Sequence, residues 1–89
     1  MSVRKRVRAH GRVQGVFFRD SLRRAAERER VAGWAVNRAD GTVEAVLEGD
    51  PEAVDRLVDL CRRGPGHAAV ARLDVTDEDP EGLHGFATR

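Results

Sequence analysis

The sequence predicts one α+β domain in which two helices cover one face of an antiparallel sheet of four or five strands, in the order strand, helix, strand, strand, helix, strand. Three observations predict it. Apolar residues recur at every second position in four runs, the mark of strands with one buried face. Between those runs, two segments place their apolar residues at helical spacing. With 89 residues, the chain can bury one core and no second one, so residues 1–89 form a single domain whose site must be made by loops on one scaffold.

The first run spans Val3 to Val13, with Val3, Val7, Ala9 and Val13 at odd positions and Arg4, Arg6, Arg8, His10 and Arg12 at even ones. The arginines are thereby expected on the solvent side of the sheet and not as a docking patch, the sharper alternative being a weak attraction for anionic substrates. The segment Gly11-Arg12-Val13-Gln14-Gly15-Val16-Phe17-Phe18-Arg19 leads into a helix carrying Phe18, Leu22, Ala25 and Ala26 on one face and Arg23, Arg24, Glu27 and Arg28 elsewhere. That helix is expected to end near Val31, before Gly33. Trp34 and Val36, then Val43, Ala45 and Leu47, alternate on either side of Ala39-Asp40-Gly41, and Asp-Gly between alternating runs signals a hairpin. Asp50-Pro51-Glu52 supplies an N-cap, a first-turn proline and an acidic first turn for a second helix with Val54, Leu57, Val58 and Cys61 on one face. It stops at Arg62-Arg63-Gly64, where cations meet the negative end of the dipole and glycine can take a left-handed cap. Ala69, Ala71, Leu73 and Val75 alternate as a fourth strand, Thr76 to Gly85 is a polar stretch, and Phe86 to Thr88 suits a short last strand.

Composition excludes several functions. The net charge is +1 although charged residues make up 35% of the chain, too near neutrality for general nucleic-acid binding. The rings are Phe17, Phe18, Phe86 and Trp34, with no tyrosine, so base stacking is poorly supplied. Cys61 is the single cysteine, which rules out an internal disulfide and a thiolate cluster and suits a reducing compartment. No long apolar run follows the basic N-terminal residues, so neither a secretory signal nor a membrane span is expected, and the cytoplasm is the expected location. His10, His67 and His84 are scattered without metal-ligand spacing, and no metal or other cofactor is expected. Cys61 is expected to be a small buried hydrophobe, and Asp74, Asp77, Glu78 and Asp79 a solvated acidic rim.

The Gly11 to Arg19 segment has the build of an anion cradle. Glycines let the backbone curl so that successive N–H groups turn inward, a helix N-terminus adds its positive dipole end, and a guanidinium grips phosphate oxygens bidentately. Arg19 is out of place on propensity grounds, because a cation in a helix's first turn needs a compensating anion. Asp20 could supply one locally; a bound phosphate supplies it better. Asn37, entering the hairpin, has an ordinary use in local turn chemistry and a sharper one beside the cradle.

Taken together, the Gly11 to Arg19 segment, Gly33-Trp34-Ala35-Val36-Asn37 and Asp40-Gly41-Thr42-Val43-Glu44 resemble the acylphosphatase family, with Gly49 and Gly85-Phe86 in agreement and essentially the whole chain matching in element order. The resemblance implies a ferredoxin-like sandwich and hydrolysis of the carboxyl-phosphate bond of acyl phosphates, without a metal. It implies that Arg19 binds phosphate, that Asn37 orients the attacking water, and that backbone N–H groups of Gln14, Gly15, Val16, Phe17 and Phe18 complete the cradle. The implied partner is a small acyl phosphate, with phosphate or another anion able to occupy the loop of a monomer that binds neither nucleic acid nor membrane. Arg38, with Arg12, could widen the positive field, and His10, nearest the cradle, could influence the substrate. Two other readings of the same fold stand beside this one. One is a module that binds or transfers carbamoyl phosphate within larger maturation proteins, which the compact chain and absent zinc-finger cysteines disfavour. The other is an RNA-binding module, whose central strands would present aromatics where this chain has arginines, glutamates and Trp34.

Overall fold

All 89 residues are described in the computed structural model. Strand β1 (Val3–Arg12) pairs antiparallel with β3 (Val43–Gly49) on one side and with β4 (Ala69–Glu78) on the other. β2 (Ala32–Asn37) pairs antiparallel with β3, and β5 (Phe86–Thr88) adds to the far edge, giving the order β4-β1-β3-β2-β5. Helices α1 (Phe18–Glu29) and α2 (Pro51–Arg63) share one face. Their Phe18, Leu22, Ala25 and Ala26, and Val54, Leu57, Val58 and Cys61, close over Val7, Ala9, Val13, Ala35, Ala45 and Leu47 of the sheet layer. Asp50 caps α2 through its carboxylate, which accepts the N–H groups of Glu52 and Ala53 at 3.2 and 3.4 Å, with Pro51 at the first helical position. Cys61 is wholly buried, and desolvation pushes its thiol up to about 12, so it is inert as a nucleophile.

Four expectations need correction. The sheet is mixed, because β5 runs parallel to β2, with Gly33 beside Phe86. The cause is topological: β4 ends beside Arg4 at the end of the sheet where β2 begins beside Glu48, so the tail crosses that end and enters the far edge in β2's direction. Second, α1 stops at Glu29, not near Val31. Arg30 takes a left-handed conformation (φ 58°, ψ 39°), and the following Val31 N–H returns to the Ala26 carbonyl at 2.8 Å, a helix-ending turn made here without glycine.

Third, β4 extends to Glu78, and its inward side is not the simple alternation of Ala69, Ala71, Leu73 and Val75. A bulge opposite His10 and Gly11 leaves Ala71 unpaired and sets Val70 opposite Gly11, so Val70 and Leu73 pack on the core while Ala71 is exposed. One extra residue in a strand reverses which parity faces inward.

Fourth, the second face of the sheet is laced with ion pairs, open to water around Arg6 and Arg8 but closed at Arg4. Arg4 is only 4% exposed, held by Glu78 at 2.8 Å, Glu48 at 3.4 Å and Glu81 at 3.6 Å. Arg6 joins Glu78 to Glu44, each at 2.6 Å, and Arg38 bonds the other oxygen of Glu44. These are cross-strand pairs: Arg4 stands opposite both Glu48 and Glu78 in the register. Glu48 also accepts the N–H groups of Glu81, Gly82 and Leu83 at 2.7 to 2.9 Å, satisfying the backbone of the crossing tail. Burial works against its ionisation, but those N–H bonds and Arg4 outweigh it and hold its pKa below the usual value. No buried side-chain nitrogen or oxygen lacks a partner.

Glu78 is thus a structural ion and not part of a solvated rim. Hydrogen bonds from Arg6 and then Arg4 lower its carboxyl from 4.5 to about 2. A carboxylate whose pKa is depressed by folding stabilises the protein fully above its unfolded value, and that contribution disappears as pH falls through the folded one. Thermal stability is therefore expected to fall between about pH 4.5 and pH 2, and Glu78→Gln to flatten that slope while lowering stability at pH 7. Melting curves across the window check it; an unchanged slope in Glu78→Gln would show that the ion pairs with Arg4 and Arg6 are not coupled to folding.

Candidate active site

After Arg12 the chain leaves β1 and is pinned by three buried side chains, Val13, Val16 and Phe18. Between these anchors the backbone turns twice through positive φ, at Gly15 (72°) and at Phe17 (65°). Phe17 is the N-cap of α1 and provides no side-chain cap, so the first helical N–H to find an acceptor is that of Ser21, on the Phe17 carbonyl at 3.0 Å. From Gln14 to Asp20 no main-chain N–H donates to another group of the protein. A run of free donors at the positive end of a helix dipole has the chemistry that suits an anion.

Arg19 lies in that first turn. Its guanidinium donates to the main-chain oxygen of Arg89 at 2.7 Å, and Arg89 is itself tied to β2 by its N–H on the Ala35 carbonyl and by its guanidinium 4.7 Å over the Trp34 ring. The local anion, Asp20, is engaged elsewhere: it pairs with Arg23 at 2.7 Å and Arg24 at 3.1 Å. Its pKa is lowered first by the Arg23 hydrogen bond.

Asn37 is the last residue of β2, opposite Val43 in the register. The hairpin beyond it is closed by Arg38 N–H on the Thr42 carbonyl at 2.9 Å and by Asp40, whose carboxylate accepts the Thr42 hydroxyl at 2.6 Å and its N–H at 3.0 Å. Those two bonds hold the Asp40 carboxyl below its ordinary value. Asn37 and Arg19 both line one cavity of about 250 Å³, together with Gly15, Phe17, Phe18 and Asp20. Gln14 and Val16 flank it in the loop without lining it.

Sequence reasoning gave Gln14 only a backbone role. Its side-chain amide donates to the carbonyls of Arg38 at 2.8 Å and Thr42 at 3.0 Å. Only the NH₂ end can satisfy two carbonyls, which fixes its orientation. The bonds bind the loop directly to the two strand ends of the hairpin that carries Asn37, so one side chain sets the spacing between the halves of the site. The other side of the loop is held by the His67 N–H on the Val16 carbonyl at 2.9 Å. The only sequence signal for Gln14 is an amide with several hydrogen-bonding positions among glycines and valines.

Of the two other residues considered near the loop, Arg38 pairs with Glu44, a carboxylate it shares with Arg6 and Arg8, and His10 pairs with Asp74 at 2.9 Å and stands outside the cavity lining. A larger depression of about 380 Å³ lies between α1 and α2, around Ala25, Leu57 and the Arg56–Glu29 pair, and shares no lining residue with the first. No three His, Cys, Asp or Glu side chains are grouped so as to hold a metal ion. The cavity of about 250 Å³ combines a guanidinium, free N–H donors, one neutral amide and the Asp20 carboxylate, which is engaged by Arg23 and Arg24. Such a set has the chemistry to receive a tetrahedral anion and a water beside it.

Residues 5–88 match the acylphosphatase family model. The chain is 57% identical to the acylphosphatase of Gloeobacter violaceus over 84 residues, covering 90% of each chain. It is 56% identical to that of Thermococcus kodakarensis over 86 residues, covering 92% of this chain and 94% of the other. Its backbone superposes on the crystal structure of acylphosphatase from Bacillus subtilis with a TM-score of 0.92 at 35% identity, over 98% of both chains. On fold, sequence and extent together, this chain belongs to the acylphosphatase family, enzymes that hydrolyse acyl phosphates to a carboxylate and inorganic phosphate.

Proposed function

We propose that the phosphoryl group of the substrate is held by the Arg19 guanidinium and the N–H groups of Gln14, Gly15, Val16, Phe17 and Phe18, and that Asn37 orients the attacking water. The observation that carries this reading is the shared cavity: Arg19 from α1, the uncapped loop and Asn37 from β2 converge on one space of about 250 Å³. In this scheme the amide oxygen of Asn37 accepts a hydrogen bond from water and holds its oxygen in line with the bond to be broken. A bond forms from that oxygen to phosphorus, and the bond from phosphorus to the carboxyl oxygen breaks. The electron pair leaves on the carboxylate, and the water proton passes to a phosphoryl oxygen. A carboxylate is a good leaving group, so positioning and charge stabilisation supply the catalysis and neither a base nor a metal is called for.

The whole site lies within one chain, which supports a monomeric enzyme formed by residues 1–89. The lone cysteine, buried and free, suits the cytoplasm, and no helix is long and apolar enough to cross a membrane. The arginines of the second sheet face are paired with carboxylates, and Trp34 is covered by Arg6 and Arg89, which supports a small-molecule substrate over RNA.

Binding and chemistry are separable in this scheme. Inorganic phosphate at a hundred times its Kd is expected to stabilise the folded protein by about 2.7 kcal/mol, and Asn37→Ala to keep that stabilisation while losing about a hundredfold or more in kcat on acetyl phosphate, the loss typical of one preorganised group. Thermal shift with phosphate and release of phosphate from acetyl phosphate in the presence of a chelator are the two measurements. Full turnover in Asn37→Ala would remove Asn37 from the mechanism, and a chelator that stopped the wild type would introduce a metal.

A further inference from the structure

Phe17 is the one large ring the protein leaves exposed, at 66% of its surface, and it sits at the edge of the phosphoryl cavity. Its backbone is in the left-handed region at φ 65°, a conformation unfavourable for a bulky residue and one that clusters at functional sites. The ring is supported edge-on by His67, with centroids 6.0 Å apart and planes at 68°. His67 is itself fixed to the loop, its N–H bonding the Val16 carbonyl at 2.9 Å. Phe17 also lines a second cavity, of about 360 Å³, with Ser21, Arg24, Gly66 and His67. The two cavities share Phe17 and Asp20, and Asn37 lines only the first.

We propose that Phe17 and His67 form the subsite for the acyl group, and that it favours acyl phosphates carrying an aromatic ring. This rests on the reading of Arg19, the loop and Asn37 as the phosphoryl site. With water held by Asn37 and displacement in line, the carboxylate leaves away from Asn37. The acyl group then passes the rim shared by the two cavities, where Phe17 presents its apolar ring. An aromatic acyl group gains there an offset or edge-to-face partner and covers surface now in water; an acetyl group is too short to do either. The loop geometry serves both purposes, because the turn at Phe17 that leaves the helix N–H groups uncapped also puts the ring outside the core.

The test compares kcat/KM for benzoyl phosphate and acetyl phosphate in the wild type, Phe17→Asn and His67→Ala. Asparagine accepts the left-handed backbone and removes the ring. Any damage to the cradle affects both substrates and cancels in their ratio. The benzoyl-to-acetyl ratio is expected to fall about five- to tenfold in Phe17→Asn, and about two- to threefold in His67→Ala, in line with the worth of an aromatic pair. A ratio unchanged in both variants overturns the subsite, as does an equal loss on both substrates. Failure of the phosphoryl-site reading is seen separately, as undiminished turnover of acetyl phosphate in Arg19→Ala and Asn37→Ala.

Discussion

Arg19→Ala is expected to lower kcat/KM for acetyl phosphate by at least about a hundred- to a thousandfold, the usual loss when one preorganised donor to a developing charge is removed. Unlike Asn37→Ala, it is also expected to lose most of the stabilisation by inorganic phosphate, because the guanidinium meets the phosphoryl group before and during reaction. Arg19→Lys should recover part of the binding and little of the rate. Lysine restores the charge but not the planar fork that engages two oxygens at once. The fold should survive all of this: Arg19 makes one hydrogen bond within the protein, to Arg89, and losing a single bond of that kind costs about 1 kcal/mol. Steady-state kinetics, phosphate titration and a melting curve on the same samples separate these effects. Near-normal turnover by a folded Arg19→Ala protein would mean that the phosphate is held elsewhere.

Gly33→Ala is expected to produce the largest change in stability of any single methyl group added to the chain. Gly33 lies in β2 at φ 147°, and a Cβ there would fall 1.8 Å from the Val46 carbonyl oxygen. That oxygen belongs to β3, and Val46 is fully buried, so it cannot move aside without opening the β2–β3 pairing. Losses above about 4 kcal/mol are reserved for clashes and strain of this sort. In a domain this small they correspond to a fall in Tm of roughly 20 °C or more. Gly41→Ala is the control. Gly41 also has positive φ, at 91°, but nothing lies within 4 Å of an added Cβ, so only backbone strain of about 1–3 kcal/mol applies. Should Gly33→Ala melt within a few degrees of Gly41→Ala, the close approach of β2 to Val46 does not govern stability. Opening β2 would also displace Asn37 at its end, so the residual folded fraction is expected to be poorly active.

Most of the proposed site could be read before any coordinates. The cradle from Gly11 to Arg19 is continuous in sequence, and its meaning follows from glycines, a helix start and a misplaced cation. Asn37 was identifiable through the Gly33-to-Asn37 and Asp40-to-Glu44 motifs around it. The side-chain role of Gln14 was not, because its acceptors are main-chain carbonyls on a distant hairpin, and any residue there would offer the same carbonyls. Glu78 and Arg4 were misplaced for a related reason. Alternation put Arg4 on the face away from the helices and left Glu78 in the polar stretch beyond the fourth run, and neither reading reports that the two would meet across the register and take Arg4 out of water.

By itself the sequence determined the elements and the helix-covered face of the sheet, since these follow from local conformational preference and from periodicity along one chain; the proposed phosphate loop and its pairing with Asn37 rest on the family motifs. Tertiary structure alone decided the parallel entry of β5, the reversal of parity at the β4 bulge, the paired second face and the fastening of the loop to the hairpin through Gln14. Each depends on which backbone lies opposite which, a relation set only when the sheet closes.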